Sequence, residues 1–168
     1  PVVTLNTDIE NSRRIAYVGS NYARSGATAA GLLKLMTHGT VHIGIITGSS
    51  GILCHTERIA GFTDTLRSVR DRMHIVSVVE TQDDEIESYE QTSRLLKAHP
   101  EINALFFAAG GVYGGCRAAA SLGLAGRLCA IAFDKADTTE HFLQQGVLSA
   151  VICQQPRIQG RKPLDLLF

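Results

Sequence analysis

The 168-residue chain has no surplus of either charge: Lys+Arg and Asp+Glu both number 16. A surface for nucleic acid or for an anionic membrane needs a basic excess, so both partner classes lose their electrostatic driving force. Long apolar runs are missing as well, and none approaches the ~20 residues that cross a bilayer. No signal-peptide pattern opens the chain. The cysteines, Cys54, Cys116, Cys129 and Cys153, include no C-x-x-C pair. No cluster has metal-ligand spacing, and no Ser-His-Asp or Cys-His pairing can be assembled, so neither metal, cofactor nor catalysis is expected. Internal repeats, low-complexity tracts and long linkers are also lacking.

What is present is a globular composition, 45% hydrophobic and 19% charged. The length suits one domain or two small lobes with a real core. Cys129 and Cys153 fall in apolar runs, where cysteine packs as a small hydrophobe. Four free thiols in a reducing compartment are expected. The chain opens on "PVVTL" and stops at "KPLDLLF" inside an unfinished apolar pattern, which reads as a fragment of a longer protein.

Apolar runs alternate with helical periodicity. Strands are expected at 2–5, 14–19, 41–47, 74–80, 103–108, 129–133 and 148–153. Helices are expected at 22–36, 54–70, 84–99, 112–122 and 137–145, the third stopped by Pro100. This βαβα rhythm predicts an α/β fold: a parallel sheet covered by helices on both faces, with right-handed crossovers.

In open sheets of this kind ligands bind beyond the carboxyl ends of the strands. The residues that follow each strand therefore belong to one edge. They are Asn6, Thr7 and Asp8; "GSSGILCHTER" from Gly48; "AGGVYGG" from Ala109; Asp134; and Gln154 with Gln155. Arginine, carboxylates, amides and hydroxyls together suit a polyhydroxylated small molecule, which needs both donors and acceptors.

"HTERIAGF" (55–62) is the most informative stretch. Ile59, Phe62, Leu66 and Val69 form an apolar stripe at helical spacing. His55 projects near the centre of that stripe and Arg58 about 60° away, on its border. A guanidinium there can lean over the strand ends while its stem packs on apolar surface. The competing reading pairs Arg58 with an acid on a neighbouring loop and leaves His55 as a hydrogen-bonded residue of the first turn. On the border position alone, truncation of Arg58 is expected to cost ligand affinity and little stability.

Other motifs carry less. "AAGGVYGG" follows a strand and opens a helix, but its glycines miss G-x-G-x-x-G spacing and no acid follows at the required distance. Asp134 and Asp137 in "AFDKAD" also suit turn and N-cap positions. "QDDE" (82–85) reads as an acidic helix start, favoured by the helix dipole.

In order, "VVTLNTD", "YVGSNYARSGATAAGLL", "HTERIAGF", "ALFFAAGGVYGGCRAAASLGL", "IAFDKAD" and "VICQQPRIQG" resemble the LacI/GalR effector-binding domain. They are equally similar to the periplasmic pentose- and hexose-binding proteins. The resemblance spans essentially the whole chain. It implies a periplasmic-binding-protein-like type I fold of two α/β lobes, with a sugar or similar molecule in the cleft and no catalysis. One lobe would be nearly complete (21–154). The other would be represented by 1–20, with the hinge crossover, and by 155–168.

The same resemblance implies roles. Arg58 would grip ligand hydroxyls or carboxylates, Asp134 would follow the strand in "AFD", and Gln154 would close over the ligand from the hinge. Asn6 and Thr7 stand where sugar binders carry contacts from the other lobe. Phe106 lies on a strand that sometimes bears a ring-stacking aromatic, though core packing suits it equally. Two departures stand out: Ala109 and Gly110 replace the usual Asn-Asp, and "DKADT" brings a lysine near the site. The first expectation is the effector domain of a cytoplasmic, homodimeric LacI-family regulator that reaches DNA only through a helix-turn-helix outside this chain. The second is a solute-binding protein of a sugar transporter. A small α/β enzyme with a nucleotide site is the third.

Overall fold

The computed structural model describes residues 1–9 and 11–167. Two parallel sheets organise it. The smaller pairs β1 (Val3–Leu5) with β2 (Ala16–Val18). The larger contains β3 (Val41–Thr47), β4 (Met73–Glu80), β5 (Ala104–Phe107), β6 (Cys129–Phe133) and β7 (Ala150–Ile152), in the order β4-β3-β5-β6-β7. The α/β class and the parallel sheet are thus as the alternating pattern indicates.

The strands of the large sheet read as continuous apolar runs because both faces are covered. On one face, α1 (Tyr22–Met36) and α2 (Leu53–Leu66) pack Ala29, Leu33, Phe62 and Leu66 against Ile43, Ile45, Phe106 and Ile131. On the other, α3 (Glu85–Ala98), α4 (Val112–Ser121) and α5 (Asp137–Gln144) pack Leu95, Leu96, Ala119 and Phe142 against Ile46, Leu105, Phe107 and Ala132. Successive residues of one strand therefore feed opposite cores, as period-2 geometry requires.

Two local differences from the sequence reading have physical causes. The helix expected over 54–70 ends at Leu66 and tightens into a 3₁₀ turn at Arg67–Val69, a common helix ending. The segment after Gln154, given no structure from sequence, is α6 (Pro156–Leu167), which packs against β1 and β2. Its apolar side is divided between exposed Ile158, Leu164 and Leu166 and buried Pro163, which blurs the helical signal.

The connection leaving β3 runs one way, to β4, and the connection leaving β5 runs the other way, to β6, so a crevice opens at the carboxyl ends of β3 and β5. The depth at which α2 meets this crevice depends on two glycines. A Cβ on Gly26 of α1 would lie 1.9 Å from the carbonyl oxygen of Arg58, and one on Gly61 of α2 would lie 1.9 Å from that of Ala23. The backbones of α1 and α2 touch there, which presses Arg58 against the sheet.

Gly61→Ala should therefore destabilise the protein by about 1–3 kcal/mol through overpacking. Gly31→Ala, on the same pair of helices but with no atom within 4 Å of the new methyl, should stabilise it by up to ~1 kcal/mol. Urea denaturation of the two variants beside the wild type checks the contrast.

Candidate functional site

Arg58 is buried, with 6% of its surface exposed. Its Nη1 donates to the carbonyl of Ala108 at 2.8 Å, just beyond β5, and its Nη2 donates to Oε1 of Gln154 at 2.8 Å. The guanidinium lies between two rings, 4.1 Å from the centroid of Phe133 and 4.9 Å from that of Tyr22. This cation–π sandwich stabilises a desolvated cation. Burial lowers the arginine pKa, and the negative character of Cys54 and Asp134 offsets part of that shift.

The amide of Gln154 passes the charge on. Its Nε2 donates to both carboxylate oxygens of Asp134, at 2.8 and 2.9 Å. Arg58 therefore pairs with an acid on a neighbouring loop only through an amide, which leaves the carboxylate at the cleft. Asp134 has a left-handed backbone (φ 66°), a conformation that Asp and Asn tolerate better than most residues. That turn, immediately after β6, aims the carboxylate at Gln154.

The small sheet closes one side. Asn6, also left-handed (φ 64°), accepts at its carbonyl from Tyr17 at 2.8 Å, and its Oδ1 accepts from the Tyr22 hydroxyl at 2.9 Å. Thr7 donates to the sulfur of Cys54 at 3.4 Å, joining the first crossover to the start of α2. His55 accepts the backbone N–H of Ser49 on Nδ1 at 3.2 Å, and its Nε2 stands 3.9 Å from Asp83. Contact with Cys54, opposed by burial and aided by Asp83, raises the pKa of His55.

These groups surround a cavity of about 320 Å³, within the range of small-molecule sites. Asn6, His55, Arg58, Ala109, Gly110, Asp134 and Gln154 line it, as do Tyr22, Glu85, Tyr113 and Phe133. Thr7 does not line it but anchors a residue that does. Phe106 is elsewhere: it is fully buried in the α1–α2 core and stacks on Phe62 with ring centroids 4.2 Å apart. The phenylalanine at the cleft is Phe133, two strand positions beyond Ile131 and adjacent to Asp134, and its place at the carboxyl edge of β6 was the available signal. Lys135 does not line this cavity; it pairs with Glu140 at 3.3 Å.

Gly110 has a reason not to carry a side chain. Its N–H donates to Asp83 Oδ1 at 2.7 Å, and a Cβ there would lie 2.8 Å from the same oxygen. Asp83, read from sequence as part of an acidic helix start, occupies that space, while Asp84 caps α3 by accepting from the N–H groups of Ile86 and Glu87. The cysteines are all free. Cys153, expected inside, is exposed because β7 is a short edge strand that ends at Ile152; Cys129 is half-buried.

The sequence pattern of the periplasmic binding protein domain family matches residues 1–168. The chain belongs to that family. No functionally curated protein sequence matches it significantly. Among solved structures, a glucose-galactose binding protein from Geobacillus stearothermophilus superposes with a TM-score of 0.94 at 31% identity, over 99% of this chain and 60% of that one. An ABC transporter solute-binding protein from Burkholderia graminis, in complex with D-arabinose, gives 0.93 at 27% identity, over 98% and 58%. An arabinose binding protein from G. stearothermophilus gives 0.88 at 27% identity, over 100% and 58%. The chain thus spans about 60% of the length of these proteins.

The buried hydrogen bonds of Arg58 revise the expectation that its truncation spares the fold. Arg58→Ala strands the fully buried carbonyl of Ala108 and should cost on the order of 1–3 kcal/mol. A lowered melting temperature of the unliganded protein checks this.

Proposed function

We propose that this chain forms the ligand-gripping part of a sugar-binding protein that serves a transporter. The observation that carries the proposal is the relay Arg58–Gln154–Asp134 at the topological switch point: a buried cation, an amide and a carboxylate, ready to meet hydroxyls with donors and acceptors. Asn6 faces it from the small sheet. The family match and the similarity to structures named as sugar-binding proteins support the same reading.

In this reading the two sheets belong to two lobes that close on a neutral sugar, with 21–154 forming most of one lobe and 1–20 with 155–168 contributing to the other. Phe133 lines the cleft beneath the Arg58 guanidinium, and Asp134 accepts from adjacent hydroxyls. The protein binds and does not catalyse. Its compartment in this reading is outside the cytoplasm. The LacI-type regulator suggested by the sequence motifs has less support, because the similar structures named above are described as sugar-binding or transporter proteins. A regulator would be a homodimer with an operator, and neither is needed here.

Calorimetric titration of the protein with D-glucose, D-galactose, D-arabinose and D-fucose, with a sugar phosphate as control, tests the proposal. One aldose should bind, and at ~100 times its Kd should stabilise the protein by about 2.7 kcal/mol. Asp134→Asn should weaken that binding about 10- to 150-fold, the equivalent of ~1.5–3 kcal/mol for a charged hydrogen bond. Exclusive binding of the phosphate would overturn the reading.

A further inference from the structure

One reactive group of the cleft has no part in the relay. Cys54 lies in the first turn of α2, is 7% exposed and lines the 320 Å³ cavity. That helix start has no side-chain cap, so its dipole acts on the sulfur without a competing acceptor. Thr7 donates to the sulfur at 3.4 Å, so the sulfur serves as an acceptor. His55 is adjacent, with Asp83 3.9 Å from its Nε2. One turn further on, Arg58 lines the same cavity, and its Nε is buried with no partner among the described residues.

The remaining groups that face the sulfur leave it free to ionise. Tyr17 and Tyr22 approach it from β2 and α1, and burial raises both phenol pKa values, so they stay neutral. Burial alone would push the Cys54 thiol up as well. The contacts with His55 and Thr7, and the charges of His55 and Arg58, outweigh it and bring the thiol below its ordinary value. Two other thiols differ: burial pushes that of Cys116 up to about 12 and raises that of half-buried Cys129.

We propose that Cys54 is a covalent modification site of the cleft, a thiol that exchanges with small uncharged disulfides. Its sulfur, having given its proton to His55 or to solvent, attacks one sulfur of the disulfide. A new S–S bond forms as the old one breaks, and the departing thiolate takes a proton from solvent. Cys54 is oxidised and half of the disulfide is reduced, with no further oxidant needed. The attached group fills the cavity beside Arg58, so modification and ligand exclude each other; only this last consequence rests on the sugar-binding reading.

The test uses hydroxyethyl disulfide and iodoacetamide on the intact protein, with peptide mass spectrometry to follow each cysteine separately. A mixed disulfide should form on Cys54 while Cys116 and Cys129 stay unmodified. The pH midpoint of Cys54 alkylation should lie below that of exposed Cys153, and should rise in His55→Asn or, if that variant misfolds, in Thr7→Val. A midpoint at or above that of Cys153, or no mixed disulfide on Cys54, overturns the proposal. Modified protein should also lose affinity for the aldose that the unmodified protein binds. Unchanged affinity overturns the exclusion, whereas sugar binding absent from both forms is a failure of the sugar reading and leaves the thiol chemistry standing.

Discussion

Arg58 carries a positive charge into a largely buried position, and the site is built around meeting that requirement. Desolvating an ion costs several kcal/mol, and only close, well-aligned partners offset it. Here they are the carbonyl of Ala108, the amide of Gln154 and the faces of Phe133 and Tyr22. Each comes from a different segment, so the guanidinium fixes the end of β5, the end of β6, the exit from β7 and the start of α1 relative to α2. The contact of α1 with α2 through Gly26 and Gly61 is what brings the arginine deep enough to reach them all.

The same arrangement leaves the acid at the mouth of the cleft. Because Gln154 stands between Arg58 and Asp134, the carboxylate is oriented without being neutralised by direct contact with the cation. It keeps lone pairs for a ligand, since a carboxylate has about four acceptor sites and the amide occupies only some of them. The small sheet adds Asn6 through the phenol of Tyr22, a residue that also stacks on Arg58. Cleft shape and charge are thus coupled through a few side chains at the switch point, and the sheet beneath acts as a rigid support.

Much of this was legible in the sequence where a single physical rule decides. Residues 41–47 and 129–133 are strands with the expected limits because β-branched and small apolar residues buried on both faces have little alternative. Arg58, Asp134 and Gln154 were singled out by their positions at strand ends and a helix start and by the family resemblance, and all three line one cavity. What escaped depends on side-chain direction or on distant contacts. Phe106 and Phe133 are aromatic strand residues of one core cluster, and the register, which pairs Phe106 with Ile131, decides that Phe133 stands two residues nearer the carboxyl edge and lines the cleft. Asp83 appeared as one acid in a run; its role at Gly110 needs the β4 and β5 loops side by side. The burial of Arg58 was underestimated because helical spacing gives an angle and says nothing of how closely two helices approach. Cys153 was placed inside by its apolar neighbours, but β7 is an edge strand with one side open.

The central claim is that Arg58 and Asp134 act as one unit although they share no hydrogen bond. A double-mutant cycle measures this directly. Urea denaturation of Arg58→Met, Asp134→Asn and the double variant yields a coupling free energy. The relay predicts a coupling of about 0.5–3 kcal/mol, because Arg58→Met leaves Gln154 Oε1 without its donor, whereas Asp134→Asn removes the negative charge and one of the two oxygens that accept from Nε2. Replacing Gln154 by Leu should abolish it. Additivity to within ~0.3–0.5 kcal/mol in the presence of Gln154 would contradict the account.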